Sequence, residues 1–297
     1  MMRMILSAAV LLATSACVTS PREPTGDSVI LARAVTAIEQ RSGGRLGVAV
    51  TDARGALLFG HRADERFAMC STFKLLLAGQ VLAKAAHGVS LRTPLRFVRA
   101  DLVAYSPGTD KLLGPNGRGE QQLGFAAKDA VVLSDNSAAN LILAHIGGPA
   151  AFTAEIHRRG DQVTRLDRNE PTLNENAPGD VRDTTSPAAM VKSAAGYIYG
   201  DWLTVGHRDT LRGWLIESET GLGRIRGGLP QGWLAGDKTG TCGTAYNDVA
   251  FNDVAFAEEP GGAKYMIAVY LDRPAVKGDD ANAVIADVAR AVVQDLP

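Results

Sequence analysis

Three short polar clusters, each present once in the chain, contain the residue types needed to transfer an acyl group. In chain order they are Ser71-Thr72-Phe73-Lys74, Ser134-Asp135-Asn136 and Lys238-Thr239-Gly240. A serine hydroxyl is a poor nucleophile near neutral pH unless a neighbouring base takes its proton as the new bond forms. Lys74, three residues after Ser71, is placed to be that base. The clusters therefore predict a serine acyl-transfer enzyme.

The segment after Ser71 predicts the element that positions this pair. An apolar run from Leu75 to Ala83 is typical of a buried helix ending near Gly88. Residues 71 and 74 of such a helix lie one turn apart on the same face, which brings the hydroxyl and the amine within hydrogen-bond reach. A helix N-terminus also offers backbone N–H groups and a partial positive charge to a developing oxyanion.

A serine-x-x-lysine match alone is weak evidence, since about one is expected by chance in a chain of this length. The alternative for Ser71 and Lys74 is a helix cap followed by a solvated lysine. Two further polar clusters in the same order favour catalysis over that alternative.

The three clusters, with Glu170-Pro171-Thr172-Leu173-Asn174 between the second and the third, resemble the class A serine β-lactamases. The resemblance covers nearly the whole chain after its first residues. It implies a fold of α/β (α+β) type, like that of serine β-lactamases and penicillin-binding proteins: an antiparallel sheet from both chain ends, flanked by terminal helices, with an inserted all-α region. It also implies hydrolysis of penicillins and cephalosporins, and hence antibiotic resistance, without a cofactor.

The resemblance implies two half-reactions and a role for each matching residue. Ser71 opens the lactam to an acyl-enzyme, and Glu170 activates the water that then breaks this ester. Ser134, next to the fixed charge of Lys238, carries a proton to the leaving nitrogen. The base that deprotonates Ser71 stays open between Lys74 itself and Glu170 acting through water.

The same resemblance implies a substrate pocket. The backbone N–H groups of Ser71 and Thr241 would form the oxyanion hole. An aromatic side chain, Tyr105, is expected at the cleft mouth, and Asn174 is expected to help hold the water. The remaining candidates for binding substrate are Asn136, Arg224, Thr239, Gly240 and Thr241. Taken alone, Arg224 could equally be a surface charge, and Tyr105 could be a core residue.

Residues 165–183 include Pro171, Pro178 and Gly179, a composition that predicts an Ω-type loop over the cleft floor. Arg168 and Asp183 match the family's ion pair that joins the two ends of this loop. Without the resemblance, each would be interpreted as a surface charge.

Two cysteines, Cys70 and Cys242, adjoin the first and third clusters. If those clusters share a site, the two thiols are close, and in an oxidising compartment they should form a disulfide. Two separately buried thiols are the alternative. Within the family, cysteines at both positions resemble the disulfide-bearing carbapenemases, so carbapenems are plausible further substrates.

Composition limits the partners. The chain has 297 residues, 46% of them hydrophobic and 21% charged, which suffices for one large domain or two smaller ones. A formal net charge of −1 provides no basic field for nucleic acid or anionic lipid, so a small-molecule substrate is expected. The resemblance implies that the partners are β-lactams and their inhibitors, and we expect a monomer. No metal site is predicted, because the histidines lack ligand spacing. They are His61, His87, His145, His157 and His207.

Residues 1–17 are typical of an export signal: Arg3 is followed by an apolar stretch too short to span a bilayer and by small residues. We therefore expect an exported protein of the bacterial periplasm. Cys17 could accept a lipid anchor, and plain cleavage that leaves a soluble protein is the alternative.

The periodicity of the chain predicts two regions with the site in the cleft between them. Residues 27–66 and 218–297 are expected to form the sheet domain, and residues 67–217 the helical domain. Predicted helices cover 27–44, 71–86, 137–147, 149–159, 187–199, 206–218 and 280–294. Predicted strands lie at 47–50, 57–59, 233–241, 247–257 and 264–272.

Two segments depart from the family pattern. Residues 114–122 look like an insertion, and Asn247-Asp248-Val249-Ala250-Phe251 is repeated at once as residues 252–256. Because a period of five reverses the facing of side chains in a strand, one copy is expected in regular pairing and part of the other in a loop or bulge.

Two other functions share the serine–lysine chemistry. A penicillin-binding D,D-peptidase would lack a deacylation loop, and Glu170 and Asn174 argue against it. A β-lactam sensor that is acylated without fast turnover would need a membrane-spanning segment, which the sequence does not show beyond its short leader.

Overall fold

The computed structural model describes residues 26–243 and 249–296. Its helices are α1 Gly26–Ser42, α2 Phe73–Ala86, α3 Leu123–Val132, α4 Asn136–Ile146, α5 Pro149–Arg158, α6 Pro187–Ile198, α7 Val205–Ile216, α8 Ile225–Gly228 and α9 Asp279–Asp295. Its strands are β1 Arg45–Asp52, β2 Leu57–His61, β3 Phe67–Ala68, β4 Pro94–Val98, β5 Arg118–Gln122, β6 Thr184–Thr185, β7 Leu234–Cys242, β8 Ala250–Glu258 and β9 Lys264–Asp272.

Within these ranges, β1, β2, β7, β8 and β9 form one antiparallel sheet in the order β2-β1-β9-β8-β7. Strands from both ends of the chain therefore lie side by side, with the helical block inserted between them in sequence. This arrangement confirms the predicted fold class.

Both faces of the inner strands β1 and β9 are buried, which explains why these strands are nearly continuous apolar runs. On β9, Ile267 and Val269 face the helices α1, α8 and α9, while Met266 and Ala268 face the helical block. The alternation follows the two-residue period of a strand, so β9 contributes to two separate cores.

Helix α2 is the centre of the helical block. Every residue from Phe73 to Ala83 is buried, as expected of a helix that is apolar on all sides. It packs against α3, α4, α6 and α7, and this enclosure fixes the first turn of α2, where Lys74 lies.

The structure contains elements that the sequence did not predict. Helices α3 and α8 are among them, and so are two short ribbons, β3 with β6 and β4 with β5. The apparent insertion at 114–122 ends in β5, whose polar residues carry no strand signal. Its Gly119 lies under the ring of Phe97, where a Cβ atom would come within 2.2 Å of the ring.

The second copy of the tandem, residues 252–256, lies wholly in regular pairing between β7 and β9. Ala250 and Phe251 of the first copy continue the same strand, while Asn247 and Asp248 are outside the described residues. The predicted signal at 1–17, with Cys17, is also outside them. Among the helices of the described ranges, none has the length and apolarity to cross a membrane.

Candidate active site

The nucleophile region begins with a 3-10 turn at Cys70–Thr72 that leads into α2. The predicted helix thus starts at Phe73, two residues later than expected. Lys74 Nζ still lies 3.1 Å from Ser71 Oγ, because the turn and the helix run on without a break. The structure therefore brings the predicted serine and lysine into hydrogen-bond contact.

Lys74 is fully buried and lies at the centre of the polar groups. Its ammonium donates to the Ser134 carbonyl at 2.9 Å and to Asn136 Oδ1 at 2.5 Å, and it lies 3.0 Å from Glu170 Oε1. Burial lowers the pKa of Lys74, and the Glu170 carboxylate partly opposes that shift. Lys74 therefore loses its proton at a lower pH than an ordinary lysine does. This favours the neutral amine, which is the form that can accept a proton.

Ser134 and Lys238 form a second hydroxyl–ammonium pair. Lys238 Nζ, on β7, donates to Ser134 Oγ at 3.0 Å. Burial, and then repulsion from Lys74, lowers the pKa of Lys238 to about 7. Asp135 begins α4 as its N-cap and accepts from the backbone N–H groups of Gly108 and Thr109, which holds the second cluster in place.

The Glu170 carboxylate is buried against Lys74, which also contacts Ser71. Since one nitrogen atom contacts both groups, Ser71 Oγ and Glu170 Oε1 lie no more than about 6 Å apart. Asn174 Nδ2 donates to Glu170 Oε2 at 2.5 Å, whereas Asn174 Oδ1 accepts from no described protein group and Glu170 Oε1 has only its ion pair with Lys74. Both oxygens can therefore accept from a water.

Asn140, on α4, holds the backbone of Glu170 and was not singled out from the sequence. Its Oδ1 accepts from the Glu170 N–H at 2.9 Å, and its Nδ2 donates to the Glu170 carbonyl at 2.8 Å. No spacing rule marks an asparagine in an amphipathic helix for this role. Only the juxtaposition of α4 with the loop shows it.

The two ends of the 165–183 loop meet at the predicted pair. Arg168 Nε donates to Asp183 Oδ2 at 2.5 Å, and Asp183 Oδ1 accepts from the N–H groups of Asp167 and Arg168. Arg168 also contacts Glu175 within the loop. Both predicted residues therefore lie at the loop's neck, where they close it.

A cavity of about 330 Å³ opens over Ser71. The remaining lining residues are Tyr105, Ser134, Asn136, Asn174, Thr220, Arg224, Thr239 and Thr241. Thr220, which the sequence did not indicate, places its hydroxyl 2.7 Å from that of Thr239. Tyr105 is 61% exposed at the rim, so it is not a core residue.

Arg224 lies beneath the cavity wall. It is buried, and it donates to the Gly240 carbonyl at 2.9 Å and to Thr241 Oγ1 at 2.6 Å. Burial lowers the pKa of this guanidinium, but arginine stays charged in proteins. The pocket therefore contains a positive charge besides those of the two lysines, which suits an anionic substrate.

Strand β7 packs directly on the nucleophile turn. A Cβ atom at Gly240 would lie 2.7 Å from the Met69 carbonyl oxygen, so this approach requires glycine. Cys70 and Cys242 form the predicted disulfide across the same contact, with Cα atoms 5.4 Å apart. Asn252, in the second tandem copy, donates to the carbonyls of Ala68 and Met69 behind the turn.

Backbone strain concentrates around the site. Cys70, Tyr105, Ser134 and Asp183 all have φ between 49° and 62°, a region that residues other than glycine seldom adopt. Such strain persists only where the surroundings over-determine the conformation, and it is frequent at functional sites. In the described part of the chain, no group of three or more His, Cys, Asp or Glu could hold a metal ion.

Comparisons with known proteins agree with this geometry. The model of the beta-lactamase enzyme family matches residues 30–296. Beta-lactamase L2 of Stenotrophomonas maltophilia is 39% identical over 284 residues, which cover 94% of this chain and 90% of that protein. Carbapenem-hydrolyzing beta-lactamase KPC of Klebsiella oxytoca is 40% identical over 270 residues, covering 90% and 89%. The solved structure of an ancestral class A β-lactamase superposes with a TM-score of 0.84 at 47% identity, covering 90% of this chain and all of that one.

Proposed function

The chain belongs to the beta-lactamase enzyme family as a class A enzyme that hydrolyses β-lactams, and from that premise we propose a two-step mechanism. The substrate first forms an ester with Ser71, and a water activated by Glu170 then hydrolyses this ester. The observation that supports this most strongly is the position of Lys74 Nζ, 3.1 Å from Ser71 Oγ and 3.0 Å from Glu170 Oε1. One buried amino group thus contacts both the nucleophile and the carboxylate.

In the proposed first half-reaction, Ser71 Oγ attacks the lactam carbonyl carbon and its proton passes to the neutral amine of Lys74. The lactam C–N bond then breaks. Ser134 Oγ gives its proton to the leaving nitrogen and receives in its place the proton that Lys74 took from Ser71, while the Lys238 ammonium, 3.0 Å from Ser134 Oγ, stabilises the transfer by its charge. The N–H groups of Ser71 and Thr241 would stabilise the oxyanion, a contribution of about 10²–10³ in rate per donor.

In the second half-reaction, Glu170 takes a proton from a water whose oxygen attacks the ester. The ester bond to Ser71 Oγ breaks, and Ser71 receives the proton that Glu170 took from the water, which restores the carboxylate. One water is consumed overall, and the open product leaves. The arrangement suits this step because the carboxylate and the Asn174 amide oxygen both have free acceptor positions beside the acylated serine.

The cationic pocket suggests how substrate is held. Classical β-lactams carry a carboxylate, which we place against Lys238 and the hydroxyls of Thr239 and Thr241, with Arg224 behind them. Asn136 would hydrogen-bond the substrate's side-chain amide, and Tyr105 would flank the opening.

We extend the proposal to carbapenems. The Cys70–Cys242 bond joins the nucleophile turn to β7, and the carbapenem-hydrolysing relative is 40% identical to this chain. Purified enzyme should therefore hydrolyse imipenem, and Cys70→Ser or Cys242→Ser should lose that activity while retaining penicillin turnover. If the unmodified enzyme does not hydrolyse imipenem, the carbapenem part of the proposal is wrong and the rest is unaffected.

A chromogenic cephalosporin tests the proposal as a whole. We expect multiple turnover without a burst, since both half-reactions have their groups in place. A stable one-to-one acyl adduct would instead favour the penicillin-binding peptidase or the sensor.

We also propose that the protein is monomeric and is exported to the periplasm. The composition of residues 1–17, which is typical of an export signal, supports the proposed export. Cell fractionation with mass spectrometry of the mature N-terminus tests this. A free terminus after residue 16 or 17 indicates plain cleavage, a lipid-modified Cys17 indicates anchoring, and an intact Met1 contradicts export.

A further inference from the structure

The catalytic loop has a further attachment, at the C-terminal end of strand β9. Asn176, two residues after Asn174, donates from its Nδ2 to Asp272 Oδ1 at 2.6 Å. Asn176 is only 9% exposed and Asp272 only 4%. A hydrogen bond from an amide to a buried carboxylate is charge-assisted, and therefore stronger than one between neutral groups.

The sheet holds Asp272 firmly. Its other oxygen, Oδ2, accepts from Arg45 Nε at 3.3 Å and Arg45 Nη2 at 3.1 Å. Arg45, the first residue of β1, lies 3.9 Å above the ring of Phe67, which restricts its guanidinium. The adjacent Arg273 also donates to the Asn176 carbonyl, at 3.0 Å, so the loop backbone is tied to the same strand end.

The position of the Asn176–Asp272 contact in the loop connects it with the residues proposed for deacylation. Asn140 fixes the backbone at Glu170, and the Arg168–Asp183 pair closes the loop's neck. The segment just after Asn174, whose amide fixes the Glu170 carboxylate, is held from within the loop by the contact of Arg168 with Glu175. Asn176 holds that segment from the sheet side.

We infer that Asn176 and Asp272 are positioning residues for deacylation, which keep Asn174 and Glu170 aligned with the acylated serine. The inference rests on the proposed function, since it assigns the pair to the second half-reaction only. Ser71, Lys74, Ser134 and Lys238 make no described contact with either residue, so acylation should not depend on the pair.

Asn176→Asp is the sharpest single variant. It sets two buried carboxylates against each other, and like charges at that distance repel. Because small displacements of reacting groups cost up to about 10²-fold in rate, we expect deacylation to slow by about tenfold or more. The acylation rate constant in single-turnover experiments should stay at the parent value, and an acyl-enzyme should accumulate in intact-mass spectra.

The double variant Asn176→Asp with Asp272→Asn reverses the pair. The new amide at position 272 can donate to the carboxylate at 176 and accept from Arg45 through its oxygen, so every group regains a partner. We expect the double variant to recover most of the deacylation rate. Asn116→Asp adds the same charge at an exposed turn and should leave both steps unchanged.

The outcomes separate this inference from the proposed function. If Glu170→Gln in the otherwise unchanged chain forms no acyl adduct, the proposed function fails. If that adduct forms but Asn176→Asp deacylates at the parent rate, only the inference fails. Equal losses in acylation and deacylation, without recovery in the double variant, would show a merely structural role and would also overturn it.

Discussion

Strand β7 and the 165–183 loop face each other across the nucleophile and are held by different means. Strand β7 pairs with β8 in unbroken register from Leu234 to Cys242, so its backbone alone places Lys238 and both threonines. The loop has little regular structure beyond a 3-10 turn at Thr172–Asn174. It depends instead on a few side chains outside and within it: Asn140, Arg168, Asp183 and Asp272.

This difference separates the two half-reactions. In the proposed mechanism, acylation uses groups on or directly before α2 and α4 and on β7, which are regular elements packed in the core. Deacylation, as proposed, uses Glu170 and Asn174 on the loop. Single substitutions should therefore slow one half-reaction without the other, and each prediction below tests that separation.

The largest effect is expected on the strand side. Lys238→Ala removes the ammonium that contacts Ser134 Oγ and that we place against the substrate carboxylate, so acylation should fall by about 10²–10³. Stopped-flow acylation with a chromogenic cephalosporin measures this. Lys264→Ala, which removes a half-exposed lysine from neighbouring β9, is the matched control. An unchanged acylation rate in Lys238→Ala would contradict the strand's role.

On the loop side, Asp183→Ala should slow deacylation by about tenfold or more while acylation stays near normal. It removes charge-assisted hydrogen bonds from Arg168 and the loop backbone, each worth about 1.5–3 kcal/mol. The lifetime of the acyl-enzyme checks this, with exposed Asp64→Ala as control. Unchanged turnover together with an unchanged lifetime would remove the loop-closing role.

Loss of the disulfide should lower the stability of the fold more than it changes the relative rates of acylation and deacylation. Cys70→Ser opens a bond that spans 172 residues, and losing such a bond typically costs about 2–5 kcal/mol. Thermal unfolding should show Tm lowered by several degrees. Cys242→Ser and the double variant should show the same loss, because all three remove one bond. A double variant clearly less stable than either single variant would indicate that the thiols act separately.

The smallest effect concerns pH. With the pKa of Lys238 lowered to about 7, its ammonium is present below that pH and is lost as pH rises through it. Because we propose that the charged form binds the substrate carboxylate, kcat/KM should decline on the alkaline side. Lys238→Arg, which stays charged, should move that decline to higher pH. Identical alkaline limbs for the two proteins would show that another group titrates.

The sequence allowed the motif-bearing elements to be predicted because their signals are local. The apolar run of α2 and the strand pattern of β7 each specify one element, and the cysteines next to them indicated the disulfide. Helix α3 escaped prediction because it directly follows β5, whose polar residues gave no strand boundary.

The supporting side chains could not be predicted for a different reason. Asn140, Thr220, Asn252 and the Asn176–Asp272 pair are common polar residues with no characteristic spacing. Asn176 and Asp272 lie 96 positions apart in the chain. Their roles arise from contacts between distant segments, which exist only after the sheet and the helical block have packed together.

The most direct test of the central claim is the intact mass of Glu170→Ala after mixing with a penicillin. We expect one added penicillin mass on the Ser71 peptide that persists for many parent turnover times, while the parent enzyme shows only free protein and open product. Rapid turnover by Glu170→Ala, or a failure to acylate at all, would contradict the central claim. That claim is that groups on the helix and strand side form the ester and that the Glu170 carboxylate on the loop activates the water that hydrolyses it.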